Sequence, residues 1–340
     1  MIEKVLPVAV ATCRQRPVAV RKSPTTAASN PAVCARSGRA GRERENGTTR
    51  RCAFALLLRF RVTRRTEGMT LTIGSRPLGS TGPKMVNYRI DGPKHRLLFD
   101  PFPRRVRAYL GGELVLDTRR GMLLHESNMM VQLYVPEDDV CAKLTLTDHT
   151  THCPFKGDAS YWTVTAGERT AENAVWGYQE PIAEASWLRG YVAIYWKAMD
   201  TWFDEDEETY GHLRDPYHRV DVRRTSRHVQ VSAHGEPIAR TRRALLVSET
   251  GLPNRYYVPL RDVPAELLEV SPTHTHCPYK GRASYYTVAG VPDGAWYYPE
   301  PTEEMSRLRG HLAFHGEGVE VVVDGERVET GMPPRPANVQ

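Results

Sequence analysis

Short runs rich in Val, Tyr, Leu and Thr recur along the chain at intervals of roughly a dozen residues, with Gly and Pro between them. Residues 106–110, 113–116, 133–135, 161–165 and 191–196 predict strands, because β-branched and aromatic side chains suit a pleated, half-buried surface. A second set at 229–233, 245–247, 256–258, 285–289 and 311–314 reads as their counterparts, and 319–323 followed by Asp324-Gly325 predicts a last strand entering a tight turn. Helical signal is confined to 181–188 and 301–308. Each predicts about two turns with acids near the start and Arg near the end, as the helix dipole favours.

The two sets belong to a duplication. Thr151-His-Cys-Pro-Phe-Lys-Gly-Asp-Ala-Ser-Tyr-Trp-Thr-Val164 recurs as Thr275-His-Cys-Pro-Tyr-Lys-Gly-Arg-Ala-Ser-Tyr-Tyr-Thr-Val288, with 11 of 14 positions identical. Upstream, Arg120, Glu126, Tyr134 and Asp139 match Arg243, Glu249, Tyr257 and Asp262 at a spacing of 123; downstream, Trp176 and Leu188 match Trp296 and Leu308 at 120. A period of this length is too long for a solenoid and indicates two domains, each able to bury its own core. The fold class expected is mainly β, in two tandem domains of antiparallel strands with one short helix each. The first spans 86–204 and the second 205–330, with the acidic run 204–208 as the joint and 331–340 as a disordered tail.

Charge separates the body from what precedes it. Of 46 Lys+Arg and 40 Asp+Glu, residues 1–68 hold 15 and 4, so the remainder holds 31 and 36 and is mildly acidic. No nucleic-acid partner is therefore expected of the body. Residues 1–85 read as a disordered basic leader, with Met69 or Met85 as alternative starts. Its one apolar run, 52–58, is too short to span a membrane. Cys13, Cys34 and Cys52 lie in the leader, leaving Cys141, Cys153 and Cys277 in the body, which is no disulfide framework. A cytoplasmic protein without a membrane partner is expected.

Four groups of residues carry candidate chemistry. His152-Cys153 and His276-Cys277 are the candidate catalytic pairs, since a reactive thiolate needs a neighbour that lowers its pKa. Adjacent strand residues face opposite ways, so each pair forms a dyad only where Pro154 or Pro278 bends the chain; otherwise the Cys is a small buried hydrophobe. Lys156-Gly157 and Lys280-Gly281 open a strand from a Pro-aromatic-Lys-Gly turn. Such a Lys either meets a phosphate or carboxylate, its Gly admitting close approach, or is a solvated turn residue. Tyr161, Trp176 and Tyr178, with Tyr285, Trp296 and Tyr298, either line a pocket for a flat or cyclic ligand or fill a core. Arg120 and Arg243 are candidate anion contacts, and Glu180 and Glu300 candidate acids beside the aromatic wall or else surface helix-capping carboxylates. No Cys-x-x-Cys occurs, and His274-x-His276 is matched by Thr150 in the first copy, so no metal or cofactor is expected.

At the Thr-His-Cys-Pro-aromatic-Lys-Gly-x-Ala-Ser-Tyr motif the chain resembles the domain-of-unknown-function 427 family, which also carries a nucleotidyltransferase-type label. Arg255-Tyr-Tyr-Val-Pro259 with Asp262, and Asp215-Pro-Tyr-His-Arg-Val-Asp221, strengthen the resemblance, which covers roughly 86–330. It implies a β-tent-like fold, similar to B-type methionine sulfoxide reductases and to the thalidomide-binding domain of cereblon. The paired Cys-x-x-Cys zinc site of many β-tent proteins does not carry over. Three functions stay open: a tandem that binds a small molecule in an aromatic, Lys-lined pocket in each repeat; an enzyme of nucleotidyl-transfer or thiol-dependent type; and a structural or partner-binding tandem. Metal-assisted nucleotidyl transfer normally needs clustered carboxylates, and the repeats share no Asp-x-Asp pair.

Overall fold

The computed structural model describes residue 87 and residues 92–330. The leader with its three cysteines, the alternative starts and the tail after 330 lie outside the described residues.

The first unit comprises β1 (Leu97–Phe102), β2 (Val106–Leu110), β3 (Glu113–Thr118), β4 (Gly121–Glu126), β5 (Gln132–Pro136), β6 (Lys143–Cys153), β7 (Gly157–Ala166), β8 (Arg169–Gly177), β9 (Tyr191–Ile194), β10 (Thr201–Asp204) and β11 (Glu207–Thr209). The second repeats it as β12 (Val220–Arg224), β13 (Val229–Ala233), β14 (Glu236–Thr241), β15 (Leu245–Glu249), β16 (Arg255–Pro259), β17 (Leu268–Cys277), β18 (Gly281–Val288), β19 (Val291–Tyr297), β20 (His311–Phe314), β21 (Val319–Val323) and β22 (Glu326–Val328). Each unit holds a seven-stranded sheet, ordered β1-β4-β5-β9-β8-β7-β6 and β12-β15-β16-β20-β19-β18-β17. Each also holds a four-stranded sheet, β11-β10-β2-β3 and β14-β13-β21-β22, whose strand pairs are antiparallel.

The alternating pattern builds this arrangement. In β2 it buries Val106, Ala108 and Leu110, and in β13 Val229, Val231 and Ala233, all facing the larger sheet. With Val135, Val164, Val175 and Ile194 of the larger sheet the β2 side chains form the first inter-sheet core, and the β13 side chains join Val258, Val288, Leu312 and Phe314 in the second, each buried valine, leucine, isoleucine or phenylalanine worth about 1.5–3 kcal/mol. The other face of each seven-stranded sheet is covered as well. Tyr134, Tyr161, Tyr178 and Leu188 fill it in the first unit, and Tyr257, Tyr285, Tyr298 and Leu308 in the second.

The structure corrects several details. The counterpart of β3 is β14, since 245–247 falls in β15, which answers to β4. The long strands β6 and β17 carry no apolar alternation because they lie at the sheet edge with most side chains exposed, and the hydrophobic pattern misses them. The short helices are 3-10 helices, Ala183–Leu188 and Glu303–Leu308, and in the first Ala185 leaves helical geometry. The acidic run 204–208 is a hairpin turn between β10 and β11, so the connection between units begins after Thr209. Among the described residues, no helix is long and apolar enough to cross a membrane.

Candidate functional site

The Pro-aromatic-Lys-Gly turn links β6 to β7 and β17 to β18. In each, the Lys amide donates to the Cys carbonyl three residues back at 3.2 Å, and the following Gly has φ near +105° (Gly157 106°, Gly281 105°). The Gly is required for a second reason. A Cβ at Gly281 would lie 2.9 Å from the Glu300 carbonyl, and at Gly157 3.3 Å from the Ile182 amide. The backbone that approaches so closely is the chain's own Glu-Pro segment, which closes over the turn as Ile182 N–H donates to Lys156 O and Thr302 N–H to Lys280 O, both at 3.1 Å.

This closure turns the lysine inward. Lys156 Nζ donates to Glu126 Oε2 with both side chains 7% exposed. Lys280 Nζ donates to Glu249 Oε1 at 2.5 Å, with 8% and 6% exposure. Neither Lys is a solvated turn residue. A histidine completes each cluster. His95 Nε2 lies 2.9 Å from Glu126 Oε1, its ring stacked on Phe155 at 3.7 Å. His218 Nε2 lies 3.5 Å from Glu249 Oε2, against Tyr279 at 4.4 Å. Burial pushes the Glu249 carboxyl upward, but Lys280 and His218 outweigh it and hold its pKa down at about 2. Burial alone would lower the Lys280 ammonium; Cys277 and Glu249 overcome this and raise it.

The aromatic candidates gather beside this cluster, in the core. Tyr161 OH and Thr151 Oγ1 are 2.9 Å apart, as are Tyr285 OH and Thr275 Oγ1. Trp296 Nε1–H donates to Tyr257 OH at 3.1 Å. Trp176 meets Tyr134 edge-on at 6.4 Å and tilts over Tyr195 at 4.4 Å. Desolvation raises the phenols of Tyr134, Tyr178 and Tyr298, and brings Tyr257 to about 12, so all four are neutral near pH 7. Cys153 and Cys277 are half-buried against the same tyrosines.

Other candidates lie apart from the cluster. His152 faces solvent and pairs with Asp158 at 2.6 Å, and exposed His276 stacks on Tyr210 at 4.9 Å. Strand alternation thus separates each His from its neighbouring Cys, and no adjacent dyad forms. Arg120 and Arg243 do not reach the lysines. Arg120 binds Asp139 at 2.5 Å and Arg243 binds Asp262 at 2.5 Å, and each Asp also accepts from Thr118 or Thr241. Glu180 is exposed and pairs with Arg189, and Glu300 is exposed. A cavity of about 80 Å³ lies between the sheets of the first unit, beside Leu116, Leu133, Gln132, Trp202 and His212; none of the candidate site residues lines it.

The sequence reading missed His95 and His218. They lie 123 apart, the spacing of the other upstream pairs, and that was the available signal. It also missed the bulges at which Thr147 bonds Asn173 and Ser271 bonds Asp293, both partners held at positive φ.

Residues 98–205 and 221–325 each match the family described as a domain of unknown function, DUF427. The chain belongs to that family and carries its domain twice. No curated protein matches it.

Proposed function

We propose that each DUF427 domain of this chain is a small-molecule binding module, with recognition centred on its buried Lys–Glu–His cluster and the tyrosines beside it. One observation carries this reading: a buried ammonium–carboxylate pair with an imidazole beside it, partly exposed at His95 and buried at His218, occurs at the same place in both units. A buried ion pair is a poor device for stability, since hydrophobic residues of similar volume serve as well or better. Its presence in both halves fits a site that needs convergent donors and acceptors in a dry, aromatic setting. A flat or cyclic ligand with both hydrogen-bond donors and acceptors matches that lining. Among the described residues, no group of three or more His, Cys, Asp or Glu is arranged so that it could hold a metal ion. Glu126, Glu249, Asp139 and Asp262 each engage a basic side chain. Binding is therefore favoured over metal-assisted nucleotidyl transfer.

A structural tandem is the second reading. It is favoured by the closure of the Lys turn, in which the ammonium already has a carboxylate partner and the Glu-Pro segment seals the backbone. The two readings separate in a thermal-shift screen of the whole chain against nucleotides, sugars and thiols. The comparison is a quadruple variant, Lys156→Met, Glu126→Gln, Lys280→Met and Glu249→Gln, which keeps side-chain volume. Binding predicts concentration-dependent stabilisation of about 2.7 kcal/mol at a hundredfold excess over Kd, lost in a variant that still folds. If none of the three classes stabilises the wild type, or the variant responds equally, the structural reading stands.

A further inference from the structure

Where the connection between units meets β4 lies a buried pair that neither reading uses. His125 on β4 and Asp215 in the connection are 0% and 2% exposed, with His125 Nδ1 3.9 Å from Asp215 Oδ2. That distance is too long for a hydrogen bond. Both ring nitrogens of His125 and the Oδ2 atom of Asp215 are buried without a hydrogen-bond partner. The rest of the segment is tightly held. Asp215 Oδ1 accepts from Tyr217 N–H at 2.9 Å, and Asp215 N–H donates to Tyr279 OH of the second unit at 2.7 Å. Tyr217 lies edge-on to His125 at 5.5 Å, and its hydroxyl donates to Asp100 of β1 at 2.7 Å. Asp215-Pro216-Tyr217 thus bridges the first unit's sheet and the second unit's Lys turn.

We propose that this junction is a proton-sensitive latch: with His125 neutral the Asp215-Pro216-Tyr217 segment seats on β1 and β4 of the first unit, and proton uptake by His125 releases it and uncouples the two units. The complete burial of the ring supplies the direction. A neutral imidazole already carries one buried N–H without an acceptor, and protonation adds a second beside a carboxylate too distant to receive it. An unmatched buried donor, now charged, is costly. The titratable groups facing the pair are Asp100, Tyr217, Tyr279 and His212; the His212 Nδ1–H is committed to Leu213 O at 2.7 Å, and none of the four bonds His125. Burial lowers the His125 pKa, and the charges of Asp215 and Asp100 oppose this without reversing it. The seated latch therefore favours neutral His125, while the released segment titrates near the ordinary value of about 6.5. Sealing is complete above that pH and weakens as pH falls below it.

Hydrogen exchange on the whole chain, corrected for intrinsic rates, tests this at pH 7.5 and 5.5. The opening equilibrium of residues 214–219 and of β1 is expected to rise up to tenfold per pH unit below about 6.5, as uptake of one proton dictates. Exchange in β7 and β18, and the far-UV circular dichroism, should stay unchanged. His125→Gln should remove the pH dependence. Tyr217→Phe should raise opening at both pH values without altering that dependence. Unchanged wild-type exchange, acid-induced opening spread over both units, or equal pH dependence in His125→Gln would each overturn the latch. Should His125→Gln not fold, an NMR titration of His125 in the wild type decides: a pKa below about 6.5 supports the latch, and one at or above it refutes it.

Discussion

Lys280 Nζ stands 2.5 Å from Glu249 Oε1, and the two side chains come from opposite ends of the second unit's large sheet: one from the turn before β18, the other from the end of β15. Lys156 and Glu126 repeat the relationship 124 and 123 residues earlier. The contact is made twice with the same chemistry, joining the Lys turn to the end of β4 or β15 in each unit.

Removing one partner should be far worse than removing both. Lys280→Ala leaves the buried Glu249 carboxylate with only the His218 ring beside it and is expected to cost about 3 kcal/mol. Lys280→Met with Glu249→Gln should recover most of that loss. Urea unfolding checks this through the midpoint, provided the slope is unchanged.

The same pair predicts an acid limb of stability. The folded-state pKa of Glu249, about 2, lies below its ordinary value of 4.5. Its contribution is therefore present above about pH 4.5 and is lost as pH falls toward 2. Denaturation of the wild type at pH 7, 4 and 3 should show a decline that is shallower in the Lys280→Met, Glu249→Gln variant. Parallel curves for the two proteins would assign the acid loss to other carboxylates.

The two histidines of the repeated motif should be dispensable for thiol chemistry. His152→Ala and His276→Ala remove exposed rings that face away from Cys153 and Cys277. Reaction rates with a chromogenic disulfide should match the wild type, and stability should change by no more than about 0.5 kcal/mol. A large fall in thiol reactivity would restore the adjacent dyad.

Two glycines with positive φ separate conformation from contact. At Gly325 (φ +88°) an added Cβ meets nothing within 4 Å, whereas at Gly281 it meets the Glu300 carbonyl at 2.9 Å. Gly325→Ala should cost about 1–2 kcal/mol from left-handed geometry alone. Gly281→Ala should cost clearly more, because the Glu-Pro segment must shift and the Lys280 turn opens with it. Equal losses in thermal unfolding would show that the segment yields freely.

The Arg–Asp pairs are expected to be structural and unequal between partners. Arg120 is half exposed, so Arg120→Ala should cost no more than about 1 kcal/mol. Asp139→Ala strands the buried Thr118 hydroxyl as well as the Arg, and should cost about 1–3 kcal/mol. Neither change should alter any ligand response in the thermal-shift screen.

Much was legible in the sequence because it is local or repeated. The duplication followed from identity at fixed spacing, and the strand-rich class from runs such as 106–110 and 229–233, whose alternation marks one buried face. The turn that opens β7 and β18 was visible from Pro, Lys and Gly alone. What the tertiary structure decided is where those side chains end up. Lys156 and Lys280 looked free because their carboxylate partners lie 30 and 31 residues upstream, and only sheet pairing brings them together. The same holds for His95, His218 and the His125–Asp215 junction, and for Arg120 and Arg243, whose anions belong to the chain itself. Short-range pattern fixes which residues alternate and where the chain turns. Burial and charge pairing are long-range quantities, set by which strands become neighbours, and no local window of sequence contains them.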